Sequence, residues 1–204
     1  DIIFTSGKII QGPEVADHAM ALLLALARNL HLILRGTAKE DLPRPIELRG
    51  KIAVVVGIGG VGLLVAERAA ACGMTVLGVN AENLPLTRTL ERVYPPDCLH
   101  EVLPRADTVV VCTPLTSFTE RMFGREEFRR MKPSAFFIKV SRGKTVDTEA
   151  LVEALREQRI IGAGLDVTDP ESLPDDHPLR MFRNVIITPT SRDCPIRTDS
   201  GVSN

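Results

Sequence analysis

The stretch "IAVVVGIGGVG", residues 52–62, decides the fold. Its first five positions, Ile52 to Val56, are aliphatic without a polar alternation. A strand of that kind is buried on both faces, as in a parallel sheet covered by helices. A glycine-rich turn follows, in which Gly57, Gly59 and Gly62 satisfy G-x-G-x-x-G. Residues 61–72, rich in Ala and Leu, read as a helix closed by Gly73, and residues 75–79 read as a second strand. In that strand–turn–helix–strand setting each glycine has its own task. Gly57 makes the tight turn, Gly59 lets the backbone approach a pyrophosphate, and Gly62 lets helix and strand pack closely. Free N–H groups at the helix N-terminus would receive the anion. The alternative is a βα turn of the same composition with no ligand.

Working outward, residues 107–112, 135–140, 161–167 and 184–188 are further short apolar runs with strand character. Amphipathic helical stretches at 126–131 and 148–157 lie between some of them. This alternation predicts an α/β fold, a Rossmann-type doubly wound parallel sheet with helices on both faces. Upstream, residues 1–5 read as the end of a strand. Gly12-Pro13-Glu14 then opens a long entry helix, with proline in the first turn and an acid at its positive end. Apolar residues cover nearly its whole circumference from Val15 to Leu34, so burial on several sides is expected before Gly36 ends it. Residues 38–50 read as a connecting loop. The expected organisation is a strand end and entry helix at 1–36, a dinucleotide-binding domain at 37–189, and a disordered tail at 190–204.

Composition narrows the function. The 25 Lys and Arg nearly cancel the 26 Asp and Glu, so no general field attracts nucleic acid or an acidic membrane. The most apolar stretch, residues 19–27, is nine residues long and bounded by polar side chains, too short to span a bilayer. Cys72, Cys98, Cys112 and Cys194 show no metal-binding spacing, and fit free thiols in a reducing, cytoplasmic setting. The second strand ends on Asn80, where an acid for the adenosine ribose of NAD is expected. Asn can hydrogen-bond a hydroxyl and would not repel a 2′-phosphate, and Glu82 is a nearby substitute acid. NAD and NADP both remain open.

Four runs in order, "LRGKIAVVVGIGGVG", "CTPLTSFTE", "KVSRGKTVDTEAL" and "GAGLDVTDPESLPDDHPL", resemble the D-isomer-specific 2-hydroxyacid dehydrogenases. "EVADHAMALLLALAR" is similar to that family's entry helix, and the resemblance runs from about Ile3 to Pro189. The family places its nucleotide domain inside a substrate domain built from the chain ends, so a preceding portion is expected and is not in this sequence. The family also implies a small 2-oxo or 2-hydroxy acid substrate, and a homodimer whose seam is the entry helix. Hydride exchange with a 2-oxo acid needs a cation for the substrate carboxylate and an acid/base near neutrality. By resemblance Arg142 is the cation, Glu171 orients the family's histidine, and Asp166 contacts the nicotinamide side. Gly60 and Val61 join the glycines around the pyrophosphate, while Cys112, Thr113, Pro114, Thr119, Val140, Ser141 and Arg142 line the cofactor. Lys139 stands where the family more often has Asn.

The family's histidine follows the last strand in a T-P-H motif, and here the chain reads Thr188-Pro189-Thr190. A threonine hydroxyl has no pKa near seven, so Thr190 cannot replace the base. Among the other histidines, His18 and His31 fall on the entry helix, His100 precedes a loop, and His177 matches a non-catalytic position. Three readings stay open: the coenzyme domain of an oxidoreductase impaired at Thr190, a nucleotide-binding sensor without catalysis, and a non-functional product.

Overall fold

The computed structural model describes residues 12–82 and 89–188. Among them, the expected strands appear as β1 (Ile52–Val56), β2 (Thr75–Val79), β4 (Thr108–Val111), β5 (Phe136–Lys139), β6 (Gly162–Leu165) and β7 (Val185–Ile187). A short strand that the sequence pattern does not announce, β3 (Arg92–Tyr94), lies at one edge. The sheet order is β3-β2-β1-β4-β5-β6-β7 and every pairing is parallel. The helices are α1 (Gly12–Ala27), α2 (Leu30–Leu34), α3 (Gly60–Ala71), α4 (Leu99–Val102), α5 (Arg125–Arg130), α6 (Thr148–Arg156) and α7 (Pro178–Met181). The strand expected at 1–5, Pro189, Thr190 and the tail to 204 lie outside the described residues.

The aliphatic run that opens the motif is buried on both faces. Val54 and Val56 enter one core with Leu77, Val79, Val109, Val111 and Phe137. Ala53 and Val55 enter the opposite one with Val76, Val110, Phe136 and Ile138. The first core is closed by α4, α5 and α6, where Phe123, Phe128 and Phe137 interlock, the two shortest ring separations being 5.1 and 5.2 Å. Such aromatic contacts add to the area term of burial. The second is closed by α1 and α3 through Ala16, Leu22, Leu23, Val65 and Ala66. Two covered faces explain why the strands read as continuous apolar runs.

The entry helix departs from the expected single rod. It breaks after Ala27, and Asn29 takes a left-handed conformation (φ 59°) before α2 begins. Asn29 Nδ2 donates to Pro43 O at 2.6 Å, so a contact from the following loop holds the break. Burial is also one-sided: Ala16, Ala19, Leu22, Leu23 and Leu26 face the sheet, whereas Leu30, Ile33 and Leu34 are exposed. His100 likewise sits in α4, not ahead of a loop. No helix among the described residues is long and apolar enough to cross a membrane.

Candidate functional site

Strand order reverses between β1 and β4, so the turns leaving their carboxyl ends diverge and open a crevice, the place where doubly wound sheets take ligands. Gly57 ends β1 with φ +91°, and a Cβ there would lie 2.8 Å from the Thr113 backbone nitrogen. At Gly62 an added Cβ would meet Gly57 O at 1.9 Å. Both positions therefore exclude side chains, one by conformation and contact, the other by contact alone. Gly59 and Gly60 differ: they are exposed, and an added Cβ at either meets nothing within 4 Å. The first bond within α3 runs from Leu63 N–H to Gly59 O at 2.9 Å. The N–H groups of Gly60, Val61 and Gly62 precede it at the positive end of the helix, and an anion can satisfy them. The close packing at Gly57 and Gly62 and the open space at Gly59 and Gly60 fit a dinucleotide pyrophosphate.

Asn80 follows β2 on the same side. Its Oδ1 accepts the Ile58 N–H at 3.0 Å and its Nδ2 donates to Glu82 O at 3.1 Å. The asparagine expected at the ribose thus braces the glycine turn. Across the crevice, Cys112, Thr113 and Pro114 leave β4. Burial pushes the Cys112 thiol up to about 12, so it stays protonated at neutral pH. Thr113 is buried, with its hydroxyl donating to Met122 Sδ at 3.6 Å. Thr119 Oγ1 donates to Pro114 O at 2.6 Å and folds the loop back on itself.

The turn after β5 carries Val140, Ser141 and Arg142. Val140 and Ser141 are buried, and Ser141 Oγ lies 2.8 Å from Thr145 Oγ1, which donates to Arg142 O at 2.8 Å. These bonds fix the backbone of Arg142, whose side chain is exposed and without an ion pair among the described residues. Asp166 ends β6 half-buried, and Glu171 stands exposed five residues on. The crevice therefore gathers the turns after β1, β2, β4, β5 and β6. Thr190 lies outside the described residues.

Sequence reasoning set His18 aside as an entry-helix residue, but the fold brings it to this edge. Its Nε2 is 2.8 Å from Thr188 Oγ1 and 3.3 Å from Asp166 Oδ1. Thr188 Oγ1 also reaches Asp166 Oδ1 at 3.2 Å, so α1 helps to hold the acid at the end of β6. Leu22, one turn further along α1, would touch a Cβ on Gly164 at 2.9 Å. That close helix–strand crossing is what aims His18 at the strand end. The remaining described histidines are engaged elsewhere: His100 pairs with Glu127 at 2.7 Å, His31 Nδ1 lies 3.2 Å from Ala25 O, and His177 Nδ1 accepts the Leu179 N–H at 3.2 Å. Among the described residues no cluster of His, Cys, Asp and Glu could hold a metal ion.

Comparison with known proteins places this geometry. Residues 20–190 match the family model described as D-isomer specific 2-hydroxyacid dehydrogenase, NAD binding domain. A glyoxylate reductase from Korarchaeum cryptofilum is 36% identical over 196 residues, covering 91% of this chain and 58% of that protein. The chain thus spans little more than half the length of such a relative. The crystal structure of the TT0316 protein from Thermus thermophilus matches with a TM-score of 0.80 and 41% identity, over 88% of this chain and 58% of that one. The NAD-complexed D-isomer specific 2-hydroxyacid dehydrogenase from Lactobacillus delbrueckii ssp. bulgaricus matches with a TM-score of 0.76 and 29% identity, over 87% and 59%. With the sheet, the crevice and these matches together, the chain belongs to the D-isomer specific 2-hydroxyacid dehydrogenase family and carries its NAD binding domain.

Proposed function

We propose that this chain is the coenzyme-binding portion of an oxidoreductase that interconverts small 2-oxo acids and D-2-hydroxy acids of the glyoxylate or hydroxypyruvate kind. The observation that carries the reading is the glycine turn, closed at Gly57 and Gly62 and open at Gly59 and Gly60, set at the point where the sheet reverses. The bound NAD or NADP supplies hydride chemistry; the residues of the chain bind, orient and polarise. The N–H groups of Gly60, Val61 and Gly62 hold pyrophosphate, Asn80 takes a ribose hydroxyl, and Thr113, Pro114, Thr119, Val140 and Ser141 flank the coenzyme. Arg142, whose guanidinium has no ion pair among the described residues, takes the substrate carboxylate as a planar fork can. Asp166, held by His18 and Thr188, faces the nicotinamide side, and Glu171 serves the position beside the missing base.

Thr190 supports impaired chemistry, since general acid–base catalysis contributes roughly 10²- to 10⁴-fold and a threonine cannot supply it. The same residue favours a second reading, a protein that binds NAD(P) as a sensor without turnover. Three partly buried free cysteines, Cys72, Cys98 and Cys112, suit a cytoplasmic location. The exposed apolar residues of α1 and α2 suit a homodimer through that segment.

Fluorescence titration of the protein at its native length with NADH and NADPH is the first test. Saturation by at least one is expected, and no binding at on the order of 1 mM would sink both readings. The second test compares glyoxylate and hydroxypyruvate turnover by the parent and by Thr190→His. A gain of about 10²- to 10⁴-fold in the variant supports the oxidoreductase reading. Binding without turnover in either protein supports the sensor, and a fast parent that the substitution does not improve refutes the claim of impairment.

A further inference from the structure

Lys139 is a cation where the sheet has no room for a free one. It is the last residue of β5, paired in register with Val111 of β4 and Leu165 of β6, and is 2% exposed. Its Nζ donates a short hydrogen bond to Gly143 O, in the turn that carries Arg142. Asp169, in the loop that carries Glu171, attracts it from beyond ion-pair distance. The two segments also touch directly. A Cβ on Gly143 would meet Thr168 O at 2.2 Å, so only glycine lets the turn lie against that loop. Beyond this contact Thr168 Oγ1 donates to Pro170 O at 2.8 Å and to Glu171 O at 3.1 Å, while Thr148 Oγ1 donates to Asp169 O at 2.7 Å.

We propose that Lys139 is a positioning residue whose buried ammonium, through Gly143 O, pins the Arg142 turn where it packs against the Glu171 loop. It sits under the site and reaches neither coenzyme nor substrate. The proposal rests on the reading of Arg142 as the carboxylate-binding group, and its test is chosen so that the two can fail separately. A purely packing role predicts that an apolar side chain of the same length would serve as well or better, because a buried charge is costly to desolvate. What an apolar side chain cannot do is hold Gly143 O.

Burial pushes the Lys139 ammonium down to about 8, the attraction of Asp169 opposing that shift. Its register neighbours Val111 and Leu165 are uncharged. Asp166 donates its N–H to Lys139 O at 3.0 Å but turns its carboxylate to His18. As pH rises from about 8 towards 10.5 the folded protein loses this proton before the unfolded chain does, so the unfolded state binds more protons and global stability rises. The fastening weakens over the same interval. Stability and local order are predicted to move in opposite directions.

The experiment measures amide-exchange protection at Thr145 and Val146, which donate to Arg142 O and Gly143 O, in the parent and in Lys139→Met. Melting temperature, NADH affinity and oxamate affinity in the presence of NADH accompany it. In Lys139→Met the melting temperature is expected to hold or rise. Protection at Thr145 and Val146 should fall about tenfold, and oxamate should bind about tenfold more weakly, with NADH affinity within about threefold, each tenfold step being a small free energy. The parent should lose the same protection as pH rises through about 8, and the variant should not. Unchanged protection in the variant overturns the proposal, and so does a lower melting temperature with protection lost across the whole sheet. A parent that binds no NADH removes the catalytic reading, while the protection factors still decide the role of Lys139.

Discussion

At the scale of single residues, the three motif glycines separate folding from binding. Gly62 has the Gly57 carbonyl oxygen within 1.9 Å of any added Cβ, while Gly59 faces open space at an ordinary φ of −89°. Gly62→Ala must push α3 away from β1, and overpacking of this kind typically costs about 1–3 kcal/mol. A lower melting temperature together with lost NADH binding is expected. Gly59→Ala should fold with an unchanged melting temperature, because nothing resists the methyl, yet weaken NADH about tenfold or more where the pyrophosphate must approach the backbone. Calorimetry and fluorescence titration on the two variants check this pair. Equal melting temperatures would refute the close-packing argument at Gly62, and undiminished NADH affinity in Gly59→Ala would place the pyrophosphate elsewhere.

At the scale of elements, the sequence reveals what is decided locally and hides what is decided by distant contacts. β1 and β2 were legible to the residue because burial on both faces makes a strand uniformly apolar. β3 was not, since Arg92-Val93-Tyr94 sits at the sheet edge with an exposed first residue and no such signature. The glycine turn was legible for the same local reason, and the order of the later motifs marked the turns after β4, β5 and β6. The pairing of His18 with Thr188 spans 170 positions and leaves no mark on either segment alone. The break in the entry helix belongs to this hidden class, because the pattern of apolar residues runs straight through it. Asn29 is 6% exposed, holds φ 59° and donates to Pro43 O. Asn29→Ala loses the amide and leaves in the left-handed region a Cβ that the parent asparagine already carries there, a cost of about 1–3 kcal/mol. Asn29→Gly loses the amide too but relieves the crowding of that Cβ, and should cost about 1 kcal/mol or less. Urea denaturation ranks the two. Should glycine prove as damaging as alanine, the break would rest on the hydrogen bond and not on backbone conformation.

At the scale of the whole molecule, α1 and α2 present two kinds of surface. The face towards the sheet is closed, while Leu24, Leu30, Ile33 and Leu34 remain 38%, 47%, 48% and 86% exposed. Exposed leucines scattered singly need no explanation, but four exposed aliphatics along one broken helix suit the homodimer proposed above. In a two-fold dimer each substitution acts twice, because the same patch serves both subunits. Burying a leucine fully is worth about 1.5–3 kcal/mol, so Leu34→Asp should remove on the order of 3–6 kcal/mol from the association. That corresponds to a dissociation constant raised by about 10²- to 10⁴-fold. Light scattering across a dilution series should therefore show a dimer in the parent at concentrations where Leu34→Asp is a monomer, with the same melting temperature extrapolated to low concentration. Leu34 reaches no core residue of its own subunit strongly enough to be buried, so the substitution spares the fold and isolates the interface. A parent that is already monomeric at high micromolar concentration, or a variant that stays dimeric, would remove α2 from the seam and leave its apolar face to be covered by another part of the same protein.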